Sequence, residues 1–183
     1  MKRIFLLTFA VVAMAFTTQV KAQKNPMVGG AAMYANKDIV DNAVNSKDHT
    51  TLVAAVQAAG LVETLKSAGP FTVFAPTNAA FDKLPAGTVG TLVKPENKAT
   101  LTKILTYHVV AGKLGSKEVA AAIKAGKGKA ELTTVQGGKL WIYMEGKNVM
   151  LKDENGGIST VTIADVFQSN GVIHVIDTVV MPK

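Results

Sequence analysis

The chain contains no cysteine anywhere in its 183 residues. That absence excludes disulfide staples, thiol nucleophiles, thiolate zinc sites and Cys-based redox motifs, and it leaves stability to packing alone. Long hydrophobic runs are also scarce. The only one, Ile4 to Phe16, falls short of the roughly 20 apolar residues a membrane-spanning helix needs. It follows the basic pair Lys2-Arg3 and precedes Val20-Lys21-Ala22, the small-residue pattern read by a signal peptidase. Residues 1–22 are therefore expected to be a cleaved signal peptide, leaving no transmembrane anchor. With no Cys after the cut, a lipid-anchored form is not expected.

Charge of one sign is not concentrated either. The chain carries a formal +7, and the signal peptide takes Lys2, Arg3 and Lys21 with it. A modest positive excess favours solubility and weak attraction to anionic surfaces, but lacks the concentrated basic stripe of a nucleic-acid binder. No nucleic-acid partner is expected. The densest basic stretch is Lys113, Lys117, Lys124, Lys127 and Lys129. It reads either as a solvated helix face and loop or as a weak, salt-screened contact to anionic glycans or lipid headgroups.

Internal repeats and long low-complexity linkers are missing, so the remainder reads as a 23–36 lead-in, expected to be loosely held at its start, and one domain over 37–183. Its first half is patterned for helices. Ile39, Val40 and Val44 suggest one apolar face, Leu52, Val53 and Val56 a second that Gly60 ends, and Leu61, Val62 and Leu65 a third. Between Gly69-Pro70 and Pro76, Phe71 to Phe74 reads as a buried strand. Thr77 can cap a helix carrying Phe81 and Leu84, Pro95 opens one carrying Leu101, Ile104 and Leu105, and Ser116 to Ile123 makes another.

The second half changes period from 3.6 to 2. Strands are expected at 131–136, 139–144, 149–152, 159–164, 172–176 and 178–181, with turns at Gly137-Gly138, Glu145 to Asn148, Asn155 to Gly157 and Asn170-Gly171. Helices followed by hairpins imply an α+β fold with a mostly antiparallel sheet.

Three segments carry a family resemblance. Gly69-Pro70-Phe71-Thr72-Val73-Phe74-Ala75-Pro76-Thr77-Asn78-Ala79-Ala80-Phe81 resembles the first signature of the fasciclin domain. Leu105-Thr106-Tyr107-His108-Val109-Val110 resembles its central Tyr-His segment, and Asn170-Gly171-Val172-Ile173-His174-Val175-Ile176-Asp177 its closing segment. They stand in the family's order and spacing, and Leu52 to Ala55 and Ala59-Gly60-Leu61 match its opening helices. The resemblance implies a wedge-shaped antiparallel β-sandwich flanked by several short helices, in a secreted protein, extracellular or periplasmic. It implies no enzyme activity, no catalytic residues and no cofactor. The implied role is adhesion or matrix association with a cell-surface or matrix protein or polysaccharide; a small-ligand binder using an apolar cleft of the same fold is the second reading.

Site residues follow with two readings each. The Tyr-His segment is associated with partner binding in animal members, which by position points to Tyr107 and His108; yet His108 lies on the apolar helix face of Ile104 and Leu105, where a core histidine would sit. His174 alternates within an apolar strand and reads as buried. His49, His108 and His174 show no paired-ligand spacing, so no metal site is expected. Asp153-Glu154-Asn155-Gly156 lacks the alternating ligands of a calcium loop, and no Gly-x-Ser-x-Gly elbow accompanies the Ser, His and Asp present. In Lys139 to Met144, Leu140, Ile142 and Met144 share one face, expected inward, while Trp141 and Tyr143 share the other. The aromatic pair is either cross-strand packing or a contact platform. Cleavage after Ala22 predicts a mature protein starting at Gln23; intact-mass measurement of the exported chain checks it, and retention of residues 1–22 would contradict it.

Overall fold

In the computed structural model the chain is described from Asn25 to Lys183; the expected signal peptide lies outside the described residues. Two short strands, β1 (Met27–Val28) and β2 (Ala31–Ala32), form a hairpin. Beyond its start, then, the lead-in is not loose: Val28 and Met33 are buried in the main core. There follow α1 (Ile39–Ala43), α2 (Thr50–Ala59), α3 (Val62–Lys66), β3 (Phe71–Pro76), α4 (Asn78–Asp82), α5 (Thr88–Leu92), α6 (Lys98–Tyr107), β4 (Val109–Ala111) and α7 (Ser116–Ala125). The C-terminal half is a run of strands: β5 (Lys129–Thr133), β6 (Lys139–Glu145), β7 (Asn148–Lys152), β8 (Ile158–Gln168) and β9 (Gly171–Ile176). Helices then hairpins is the α+β pattern expected.

The seven-stranded sheet has the order β4-β3-β9-β8-β7-β6-β5. Every neighbouring pair is antiparallel except β3 and β9, which run parallel from Phe71↔Gly171 to Pro76↔Ile176. A bridge between Val110 and Thr134 joins the outer edges, and Val135 N–H donates to the Val109 carbonyl at 2.7 Å. The sheet thus curls nearly into a barrel, which leaves little unpaired edge. One apolar cluster fills its inside, including Phe74, Leu132, Leu140, Ile142, Leu151 and Ile176. A second lies between the opposite face of β3 and β9 and the helices, including Val73, Ala75, Ile173 and Val175 together with Ile39, Leu52, Val56, Leu101 and Leu105. Because β3 and β9 are covered on both faces, their sequences are continuously apolar rather than alternating.

Polar side chains fix the joins. Asp38 and Thr77 cap α1 and α4 as acceptors. Asp165 adopts φ 60° within the irregular stretch of β8 between Ile163 and Val166. Its carboxylate accepts from the Ser116 N–H at 2.6 Å and from the Ser116 hydroxyl, closing the first turn of α7. Asn170 reaches furthest: its Oδ1 accepts from Ile39 N–H at 3.0 Å, and its Nδ2 donates to the carbonyls of Leu65 at 2.7 Å and Ser67 at 3.0 Å. One side chain so ties β9 to α1 and α3.

Several local expectations are corrected. Val44 is 51% exposed, because five residues turn an α-helix by roughly 140° from Ile39 and α1 ends at Ala43. The turn before β9 is Ser169-Asn170, since Gly171 already pairs with Gln168; a Cβ on Gly171 would collide with the Phe71 carbonyl oxygen, so glycine there serves the parallel pairing rather than the turn. Residues 178–181 form no strand and are held instead by side chains: Thr178 N–H donates to Ser159 Oγ at 3.2 Å and Met181 N–H to Asp153 Oδ2 at 2.9 Å. Met144 points out at 45% exposure, beyond the covered stretch of β6. The expected strand 131–136 is displaced to Lys129–Thr133, and the strand expected at 159–164 runs on through its irregularity to Gln168.

If Asn170 is the clamp described, Asn170→Ala strands the groups it serves in a buried setting, and should cost on the order of 3 kcal/mol. Urea unfolding monitored by circular dichroism measures this, and a loss under about 0.5 kcal/mol would contradict the assignment.

Candidate functional site

Tyr107 and His108 sit at the end of α6 and are buried, at 0% and 2% exposure. The Tyr107 hydroxyl donates to the Lys139 carbonyl at 2.5 Å and accepts from the Glu154 N–H at 3.2 Å. Burial pushes its phenol up to about 12. His108 Nδ1 lies 2.9 Å from the Ile104 carbonyl, and Val180 N–H donates to its Nε2 at 3.2 Å. An amide can donate only to an unprotonated nitrogen, so the proton is on Nδ1 and the ring is neutral. Burial lowers its pKa to about 4. Both side chains are interior braces in this arrangement: Tyr107 ties α6 to the start of β6 and to the turn between β7 and β8, and His108 ties it to the C-terminal segment. The burial of His108 matches the core reading of its spacing; Tyr107, expected only as a partner-binding candidate, is buried as well, and neither side chain is exposed.

His174 is likewise committed. Its Nε2 donates to the Leu114 carbonyl at 2.7 Å, Asp165 N–H approaches Nδ1 at 3.4 Å, and the ring stacks on Phe74 with centroids 5.7 Å apart. His49 is the exception. Its Nδ1 is 2.8 Å from Ser46 Oγ, but Nε2 has no hydrogen-bond partner. Burial lowers the pKa of both rings, opposed for His49 by the nearby Ala75 carbonyl. The Ser46–His49 pair went unread in the sequence; its only signal is the three-residue spacing ahead of α2. Among the described residues no group of His, Asp and Glu is disposed to hold a metal.

Trp141 and Tyr143 are on the outer face of the sheet, both half-buried. Strand register places Glu131, Trp141, Lys152 and Ile158 in one row and Lys129, Tyr143, Met150 and Thr160 in the next. Trp141 Nε1–H donates to Glu131 Oε2 at 3.2 Å, and Lys129 Nζ stands 5.6 Å from the indole centroid, within cation–π reach. Lys139 Nζ bridges Glu131 Oε1 at 2.8 Å, and this contact holds the Glu131 carboxyl below its usual range. Lysines 129, 139 and 152 and Ile158 are exposed on this face. Of the five-lysine stretch, only Lys129 is brought to the aromatic pair. Lys113 stands over the Phe167 ring at 5.2 Å, while Lys117 and Lys124, seven positions apart on α7, share its exposed side.

A model of the fasciclin domain matches residues 47–182. The chain belongs to the fasciclin-domain family. It is similar to Protein sll1483 of Synechocystis, with 48% identity over 160 residues, 87% of this chain and 82% of that one. It is also similar to the cell surface glycolipoprotein MPB83 of Mycobacterium bovis, with 35% identity over 169 residues, 90% of this chain and 69% of that one. Among solved structures, a domain pair from the insect cell adhesion molecule Fasciclin I matches with a TM-score of 0.67 at 18% identity, over 78% of this chain. That likeness is one of fold, and this fasciclin domain spans half of that chain. Among the described residues no helix is long and apolar enough to cross a membrane.

All three imidazoles are held below their ordinary pKa by burial. The unfolded chain therefore binds more protons than the folded one between about pH 6.5 and His108's value near 4. Stability should be complete above pH 6.5 and fall through that window as the pH drops, with His108 alone contributing on the order of 3 kcal/mol. His108→Gln should be less stable at pH 7 yet show a shallower fall toward pH 4 in urea titrations; an unchanged pH profile would refute the assignment.

Proposed function

We propose that this fasciclin domain is an exported, non-catalytic contact module for cell-surface or matrix material, and that the outer face of β5, β6 and β7 is its contact surface. The observation carrying this reading is the aromatic pair Trp141 and Tyr143 on a face whose neighbours include Lys129, Lys139 and Lys152. Rigid aromatic area with a polar rim suits recognition at low conformational cost. Lysines around it attract acidic groups, and Lys129, which stands over the indole, would be displaced by a sugar stacking there and pair with its acid, so an acidic polysaccharide fits best among the surface polymers. The export-type N-terminus and the cell-surface name of one relative support an external setting. The exposed lysines of α7 would add only weak, salt-screened attraction.

The buried Tyr-His segment enters this reading as scaffold: Tyr107 anchors the Lys139 carbonyl at the start of the strand that carries Trp141. Trp141→Ala combined with Tyr143→Ala should weaken retention on immobilised alginate or heparin at least tenfold while leaving the melting temperature nearly unchanged. Full retention, or retention indifferent to raising salt from 50 to 500 mM, would overturn the assignment of this face.

A further inference from the structure

On the other side of the sheet, the helices do not close completely over β3 and β9. A cavity of about 110 Å³ remains there, with Val28, Met33, Phe71 and Ile173 among its lining. None of the outer-face residues reaches it. Its half-exposed members Val40, Ala43, Val53, Val62 and Leu65 come from α1, α2 and α3, so the entry lies between those helices. The gap follows from what covers it: α1 and α3 have five residues each, so neither is long enough to lay a continuous apolar stripe over the sheet.

The walls decide what this space can hold. The surface facing it is almost wholly apolar, and polar side chains around it are engaged with one another or with backbone. Ser46 pairs with His49, His108 with the Ile104 carbonyl and the Val180 N–H, and the Thr106 hydroxyl with the Thr102 carbonyl. Water inside is poorly held, since a buried water needs two to four polar partners, and an apolar group displaces such water at a gain. Charge is excluded at the mouth as well. Helix α2 carries no charged residue, and α1 and α3 carry only Asp41, Glu63 and Lys66. Lys66 is already held by Asp41 at 2.6 Å and Asp38 at 3.6 Å. An anionic headgroup therefore finds no free cation on these helices, and an ion of either sign carried inward has no partner among the apolar walls. For comparison, an engineered apolar cavity of about 150 Å³ in another protein stays dry and binds benzene; this one has an entry of its own.

We propose that this cavity is a binding site for a small uncharged hydrocarbon, a ring of about six carbons, taken up between α1, α2 and α3. Apolar burial alone holds the ligand, and the site discriminates by size and by the absence of charge. It is independent of the outer face and would persist in the Trp141 and Tyr143 variants.

The test titrates the full mature chain with toluene, with benzoate as its anionic counterpart and with benzylammonium as its cationic one. Thermal melting and NMR of the Val, Leu and Ile methyl groups are read together. Toluene should bind saturably, raise the melting temperature, and move the methyl resonances of Val40, Val53, Val62 and Leu65 while leaving those of Leu140 and Ile142 inside the barrel and Ile158 on the outer face in place. Both ions should bind at least about tenfold more weakly. Val53→Phe crowds the cavity from a half-exposed lining position and should weaken toluene binding at least about tenfold. Should that variant fail to fold, the methyl shifts and the preference over both ions in the unaltered chain still decide. No saturable response to toluene, an ion bound as tightly, shifts centred on the barrel interior or the outer face, or undiminished binding in a folded Val53→Phe would overturn the proposal.

Discussion

The parallel pairing of β3 with β9 is the constraint on which the rest of this domain depends. It joins Phe71 to Gly171 across most of the chain and sets the first and closing signature segments side by side. Without it the strand meander β5 to β9 would be held to the helical half only by the Val110–Thr134 bridge and by side-chain ties such as those of Tyr107 and Asp165. Its closeness demands glycine at position 171, beside the Phe71 carbonyl, and asparagine at 170, whose side chain reaches α1 and α3. Burial on both faces supplies the driving force, because each strand contributes side chains to two apolar clusters at once.

That arrangement divides the molecule into sides with different chemistry. Strands β5 to β7 lie away from the helices and are free to carry Trp141, Tyr143 and lysines outward. Strands β3 and β9 carry the helices, and the imperfect fit of short helices on a strongly curved sheet leaves the cavity beside His49. The three histidines serve the interior throughout, each neutral and each held to a backbone carbonyl or a hydroxyl. Burial sets their protonation; nearby charge has a smaller part.

Much of this was legible in the residues. The change from helical to alternating period marks the division into helices and hairpins, and the burial of Leu140 and Ile142 opposite Trp141 follows from strand alternation alone. The core position of His108 was readable from its spacing to Ile104 and Leu105. Local spacing failed where the controlling contact was distant. Val44 was grouped with Ile39, but α1 ends too soon and turns it out. Residues 178–181 carry a strand-like composition, yet their backbone groups are taken by Ser159, His108 and Asp153.

By itself the sequence determined the division into a helical and a stranded half, the α+β class, its family and the outward placement of the aromatic pair, because each of these rests on periodicity or on an ordered run of residues. Only the tertiary structure decided the parallel join of β3 and β9, the near-closure through Val110 and Thr134, the gathering of Lys129 onto Trp141, and the pairing of the buried His49 with Ser46. All but the last depend on contacts between residues far apart in the chain. A pattern along the chain records which face a side chain takes, but not what meets it there.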